Sequence, residues 1–329
     1  FLILSIVMTV AAIVLRVRTE GAMQRPMLLH RASYNDYVGS TWVARSPAFT
    51  VIPRSDAASW RLQGSSGSGA RMVIDDATPR GNPVLSLPPG TTRIEGLSAV
   101  ELRNNPLGAV QAELGPGAFR YIVSYGAPDD AQAAPGEMDL RLPRLEVRVV
   151  EELARSLGLR SLAPEEAMAR ISTHFLHEFR YAPYQPQRPD RQTAIAHFLL
   201  SSHAGHCEYF ATATVLLLRA AGVPARYATG FSMQEYSARE TAYVVRQRHA
   251  HAWARAWVNG RWTDLDTTPP DWVAAEAAED PAWTAFADLW SWLRYRWGRT
   301  MEEMDRADAA ILISLAALVL AAWFGWRML

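Results

Sequence analysis

The spacing of apolar residues changes twice along the chain. Between residues 33 and 145, short apolar or alternating runs at 70–74, 84–87, 109–114 and 119–125 are separated by turns such as Pro79-Arg80-Gly81-Asn82-Pro83, Pro88-Pro89-Gly90 and Gly115-Pro116-Gly117. Many short strands closed by glycine and proline predict a sandwich-like domain or a partly open barrel. Gly64-Ser65-Ser66-Gly67-Ser68-Gly69 then reads as a hairpin tip, because strand-like sequence continues on both sides. Past residue 145 the period lengthens to that of a helix at 145–157 and 165–179, with Pro164-Glu165-Glu166 placing acids at the positive end of the second dipole. A short helix at 191–202 and a longer, more apolar one at 207–220 follow, the latter closed by Gly222 and stopped by Pro224. The period then falls to two at 225–231, 241–258 and 261–265. Helices followed by an antiparallel sheet make residues 146–297 an α+β domain, preceded by the β-rich one at 33–145.

Both ends of the chain are apolar enough for lipid. Residues 309–326 (AAILISLAALVLAAWFGW) carry no charge and span about 27 Å as a helix, close to a bilayer core, with Trp323, Trp326 and Arg327 at the place of an interfacial anchor. Residues 1–15 (FLILSIVMTVAAIVL) are also uncharged but reach only about 22 Å. Since they start with Phe, they read as the truncated end of a transmembrane helix that begins upstream. The expectation is a chain flanked by transmembrane helices and in contact with a lipid bilayer, with Trp290, Trp292 and Trp297 beside the second span. Arginine counts do not choose a side: Arg16, Arg18, Arg25 and Arg31 follow the first segment, and Arg299, Arg306 and Arg327 border the second.

Composition narrows the function. Lys and Arg together number 33 and Asp and Glu 33, for a net charge of zero, which argues against a nucleic-acid partner because phosphate binding needs a basic surplus. One cysteine rules out an internal disulfide and a cysteine-rich metal site. Every basic residue other than histidine is arginine; there is no lysine.

The single thiol lies in Gly205-His206-Cys207-Glu208-Tyr209-Phe210-Ala211, at the start of a predicted helix. Unpaired N–H groups and the dipole there favour thiolate and make the sulfur a nucleophile. Downstream, Asn259-Gly260 is a type I′ hairpin signal between Trp257-Val258 and Arg261-Trp262. If Val258 faces Arg261, then Arg255 faces Asp264 and Trp253 faces Asp266. His251, Trp253, Asp264 and Asp266 then share one face, with Asp266 diagonal to His251. A helix-start nucleophile packed against a sheet that carries a histidine and an orienting acid is the Cys-His-Asp arrangement of acyl transfer. In a continuous strand His249 shares that face, so spacing alone allows either histidine as the base; Asp266 is one step nearer to His251. Asp264 reads as the ion-pair partner of Arg255, and Asp75-Asp76 and Asp129-Asp130 as solvated turn acids.

The segments G-H-C-E-Y-F-A (205–211), L-L-R-A-A-G-V-P-A-R-Y-A-T-G-F (217–231), H-A-W (251–253) and W-T-D-L-D-T-T-P (262–269) together resemble the bacterial transglutaminase-like superfamily of papain-like fold. The resemblance implies that Cys207 is the nucleophile, His251 the base and Asp266 the residue that orients it, and it gives His249 no role. One position departs from the pattern: Thr267 stands where the family usually has proline, with Thr268 and Pro269 still in register. The layout is similar to that of membrane-bound members, which implies a multi-pass protein of the bacterial inner or cell membrane with an extracytoplasmic catalytic domain and an amino-terminal domain of unknown role.

Two rivals are weaker. Three histidine pairs, His174/His177, His203/His206 and His249/His251, invite a zinc hydrolase, but none forms H-E-x-x-H. An inactive interaction module would be expected to lack one of Cys207, His251 or Asp266. The expected activity is therefore hydrolysis of amide or peptide bonds through a Cys207 thioester, without cofactor or metal, on a peptide or protein substrate, cell-envelope material included. Amine transfer to a glutamine side chain is the alternative. Without lysine, lysine-based self-crosslinking through this chain is excluded, since arginine stays protonated. That leaves water or an external amine as the acceptor.

Overall fold

The computed structural model describes residues 12–20, 26–45, 48–62, 69–77, 81–114, 119–126, 132–184, 192–277 and 284–303. The chain divides into one compact unit up to Asp280 and a second from Pro281 onward. The first holds two apolar cores.

One core lies between helices and a four-stranded antiparallel sheet, whose strands run in the order Arg261–Leu265, Ala250–Val258, Ala225–Met233, Met27–Tyr34. Helix Cys207–Ala220 is buried continuously from Phe210 to Ala220, which is why its sequence reads apolar on every side. It packs against the Ala250–Val258 and Ala225–Met233 strands, and helices Val147–Ser156 and Pro164–Glu178 pack against it through Val150, Ala154, Ile171 and Phe175. The second core is shared by two other sheets. An eight-stranded one runs Glu235–Ser237, Ala242–Arg246, Ile13–Thr19, Ala70–Asp76, Arg120–Tyr125, Arg93–Glu95, Ser59–Arg61, Arg54–Asp56, and a three-stranded one runs Val110–Leu114, Ala99–Asn104, Thr50–Ile52. Val17, Trp60, Ile74, Ile94 and Tyr121 from the first meet Ile52, Leu102 and Val110 from the second.

Strand Ala225–Met233 joins the cores: Ala225 and Tyr227 belong to the first, Phe231 and Met233 to the second. Between them the register against Met27–Tyr34 shifts at Thr229/Gly230. A Cβ on Gly230 would sit 1.9 Å from the Leu29 carbonyl oxygen, so only glycine lets the strands approach there. A buried ion pair ties residues 132–143 to the same sheet. The Arg226 guanidinium forks onto Asp139 at 2.9 and 3.0 Å, lies 4.0 Å over the Trp262 ring and donates to Gln132. Such a pair is costly to break because a lone buried charge would remain.

These facts correct several expectations. The fold class needs revision at the flanks: no helix among the described residues is long and apolar enough to cross a membrane, so the described structure holds neither the expected transmembrane flanks nor the multi-pass placement built on them. The end of the 1–15 segment is not helical. Ile13–Thr19 is a strand in the middle of the eight-stranded sheet, buried at Ile13, Val14, Leu15, Arg16 and Val17; a strand covered on both faces reads as an unbroken apolar run. Residues 1–11 and 309–326 lie outside the described residues. The helix before 309, Thr284–Glu303, is interrupted by Asp288, Arg294, Arg296, Arg299, Glu302 and Glu303. Ile13–Thr19 pairs with Ala242–Arg246, and Met27–Tyr34 with Ala225–Met233, so the early strands complete sheets built from late ones.

Smaller corrections concern individual runs. Residues 84–87 make only isolated bridges, Val84 to Gln111 and Leu87 to His30. The hairpin tip at 64–69, apart from Gly69, and the acids Asp129 and Asp130 lie outside the described residues. Asp75 is not a solvated turn acid: it lies within the strand Ala70–Asp76, bonded to Arg18 at 2.9 Å and to Arg120.

Candidate active site

Cys207 is the first residue of its helix, with His206 in extended conformation at the cap. What fixes that start is a short parallel pairing, Arg180 beside Ala204 and Tyr181 beside Gly205. A Cβ on Gly205 would come within 3.0–3.1 Å of the Tyr209 side chain, so glycine allows that ring to fold back over the helix entry. The half-buried sulfur thus faces the four-stranded sheet at the positive end of the helix dipole.

The hairpin forms in the expected register, Val258 opposite Arg261 and Arg255 opposite Asp264. Asp266 follows the last strand residue, and its carboxylate is divided: Oδ1 accepts the Thr268 backbone N–H at 3.0 Å, and Oδ2 lies 2.7 Å from His251 Nε2. The first bond is an Asx turn that fixes the carboxylate and leaves Oδ2 for the imidazole. Thr267, at the position where proline was expected, is clamped by Thr214 at 2.7 Å between hydroxyls. Thr214 stands two turns along the helix from Cys207, so one helix face holds both the sulfur and the loop that carries Asp266. His251 Nδ1 is buried without another partner, and it is the nitrogen left for the thiol.

Burial pushes the Cys207 thiol up, but the His206 and His251 rings and the Ala252 backbone N–H, all set against the sulfur, outweigh it and bring it down to about 7. His251 responds in the opposite sense: burial pushes it down, while Asp266 and the sulfur pull it up to about 10. Between those values the favoured state is a thiolate–imidazolium pair. Two indoles lie nearly parallel to the His251 ring, Trp272 at 4.6 Å and Trp253 at 6.3 Å. Trp253 is itself anchored through Nε1 to Asp264 at 2.9 Å, and Asp264 pairs with Arg255 at 2.6 Å.

His249 is not on this face. The 241–258 run breaks at a 3-10 turn, Gln247–His249, which ends one strand in the eight-stranded sheet and starts the next in the four-stranded one. In that turn His249 Nδ1 accepts the Arg246 backbone N–H at 3.1 Å, and Nε2 faces Glu235 at 3.7 Å. Nor do the other histidine pairs assemble: His203 Nε2 bonds the Leu199 carbonyl at 3.1 Å, and His174 packs edge-on to Phe179. Among the described residues no group of three or more His, Cys, Asp or Glu side chains is placed to hold a metal ion.

Three residues at the site were missed. The sequence offered His206 only as one of a possible zinc pair with His203, and it gave Trp272 no part in the site. Glu276 lies beyond any sheet register, on the short helix Trp272–Ala277. Only the adjacency of His206 to Cys207 offered a signal in the sequence.

Residues 151–267 match the transglutaminase-like superfamily. The chain is 31% identical over 132 residues to a protein-glutamine gamma-glutamyltransferase of Pseudomonas aeruginosa, an overlap of 40% of this chain and 20% of that protein. It is 30% identical over 92 residues to the uncharacterized protein YebA of Bacillus subtilis, covering 25% of this chain and 12% of the relative. The chain therefore spans a fifth or less of either relative's length. In fold it is similar to the periplasmic domain of TgpA from Pseudomonas aeruginosa, with a TM-score of 0.62 at 22% identity, over 84% of this chain and 93% of that one.

Proposed function

Because the chain carries a transglutaminase-like superfamily domain, we propose that it is a cysteine acyl-transfer enzyme that hydrolyses amide or peptide bonds through a thioester on Cys207. The observation that supports this reading is the Asp266 carboxylate 2.7 Å from His251 Nε2, on a strand against which the helix begun by Cys207 packs. In this mechanism the Cys207 thiolate attacks the carboxamide carbon, and the His251 imidazolium gives its Nδ1 proton to the departing amine as the carbon–nitrogen bond breaks. Neutral His251 then takes a proton from water, whose oxygen attacks the thioester. Collapse releases the carboxylic acid and restores the thiolate–imidazolium pair. Asp266 keeps Nε2 protonated and the ring turned with Nδ1 toward the sulfur.

A second reading, amine transfer to a glutamine carboxamide, is supported by the name of the Pseudomonas aeruginosa relative. The two differ only in what resolves the thioester. Water needs no binding site at its concentration, whereas an amine does. Glu276, whose charge acts on His206 beside the thiol, is already engaged by the Tyr181 hydroxyl, which favours hydrolysis. The test is incubation with a glutamine-containing peptide library and a labelled primary amine, read by mass spectrometry. Cleavage or deamidation that disappears in Cys207→Ala is the expected result. Amine incorporation that depends on Cys207 and outpaces both would favour transfer, and no Cys207-dependent product at all would overturn the enzymatic reading.

A further inference from the structure

His251 is not the only imidazole at the sulfur. His206, the residue at the helix cap, interacts with it from the helix side, its ring 4.9 Å edge-on from Tyr209. The groups facing this second ring come from two elements. Cys207 and Glu208 lie on its own helix, and Glu276 lies on helix Trp272–Ala277. Glu276 accepts a hydrogen bond from the Tyr181 hydroxyl, and Tyr181 is paired directly beside Gly205, the residue before His206. Trp272 and Glu276 are one turn apart on the same helix, so they project from one face: the first stacks on His251, and the charge of the second acts on His206.

We propose that His206 is a second activating residue for the Cys207 thiol, with Glu276 and Tyr181 behind it, so that two imidazoles, one from the sheet and one from the helix cap, act on a single sulfur. Its division of labour with His251 follows from position. His251 is held in the sheet by Asp266 and can pass a proton to the leaving amine. His206, fixed at the helix cap, favours the thiolate alongside the His251 imidazolium in the free enzyme, before the sulfur is acylated. The electrostatics agree: burial pushes His206 down, but the sulfur, Glu208 and Glu276 outweigh it and keep the ring above the ordinary histidine value.

The proposal rests on the acyl-transfer reading only for what the thiol is used for; its test reads the thiol itself. Alkylation by iodoacetamide reports on one site, because Cys207 is the sole cysteine. The rate is followed from about pH 5 to 11 in the intact chain, in His206→Asn, in His251→Ala and in the double variant. Asparagine suits an extended helix cap, and thermal melting checks that each variant is folded. His206→Asn is expected to lose about tenfold in rate near pH 6.5 and almost nothing near pH 9.5, a displaced titration that a structural defect would not give. His251→Ala should keep a midpoint below that of a free thiol, and the double variant should titrate near about 8.5. Glu276→Gln should reproduce the His206→Asn shift in part. Superimposable profiles for His206→Asn and the intact chain, or a free-thiol midpoint in His251→Ala alone, would overturn the role of His206. Failure of the acyl-transfer reading would leave these profiles unchanged and show instead as absent turnover.

Discussion

His249 and His251 stand two residues apart, 2% and 3% exposed, in opposite electrostatic surroundings. His251 lies in the four-stranded sheet against the Asp266 carboxylate and the Cys207 sulfur, and is raised to about 10. His249 lies in the turn between sheets. Burial lowers it, Glu235 pulls it back only partly, and Arg248 and Arg246 add to the fall, leaving it at about 4. Equal burial with opposite outcome shows that the charge against the ring, not desolvation, separates a histidine held protonated from one held neutral. Desolvation is common to both; Asp266 meets one ring with little opposition, and Glu235 shares the other with two guanidiniums.

The sharpest way to break this comparison is to remove each ring in turn. His251→Ala is expected to lower turnover of an amide substrate by about 10³-fold or more, as loss of the general base does, while His249→Ala stays within a few-fold. Equal losses in a steady-state assay would show that the difference in surroundings has no bearing on chemistry. Replacing the charge alone is the next step. Asp266→Asn keeps the size of the side chain but removes the carboxylate from Nε2, and should cost about 10²-fold or more in kcat with a lower upper pKa in the pH profile. A kcat loss without movement of that limb would make Asp266 a packing residue.

Stability variants sharpen the boundary between the regions. Gly230 pairs with His251 across the ladder and joins the two cores, so Gly230→Ala should destabilise by about 2–3 kcal/mol, visible as a lower Tm. An unchanged Tm would mean the strands can separate there without cost. The smallest effect concerns acid. Unfolded His249 takes a proton near pH 6.5, the folded ring only near 4, so stability falls as pH drops from about 6.5 to 4 and levels off below. Urea titrations of His249→Gln against the parent should show a shallower acid slope in the variant; parallel slopes would contradict the lowered value.

The hairpin was legible because Asn259-Gly260 sets its register from two letters, and the register alone carried His251 toward Asp266. The break at Gln247–His249 was not legible: no glycine or proline marks it, and Val244, Val245 and Ala250 continue the alternation on both sides. It arises from tertiary demand, since Ala242–Arg246 must pair with Ile13–Thr19 while Ala250–Val258 pairs with Ala225–Met233. The same long-range pairing hid Ile13–Thr19, whose apolar start resembles a lipid-facing run when its neighbours are unknown. Glu276 and Trp272 reach the site through a helix too short to have a period of its own.

The central claim, that Cys207 and His251 form a thiolate–imidazolium pair, is tested most directly by the pH profile of Cys207 alkylation in the parent chain and in His251→Ala. The parent should rise through about 7, hold level, and rise again near about 10 as the imidazolium loses its proton and releases a more nucleophilic thiolate, and His251→Ala should move the first rise upward and abolish the second. A single rise near about 8.5 that is the same in both proteins would contradict the account.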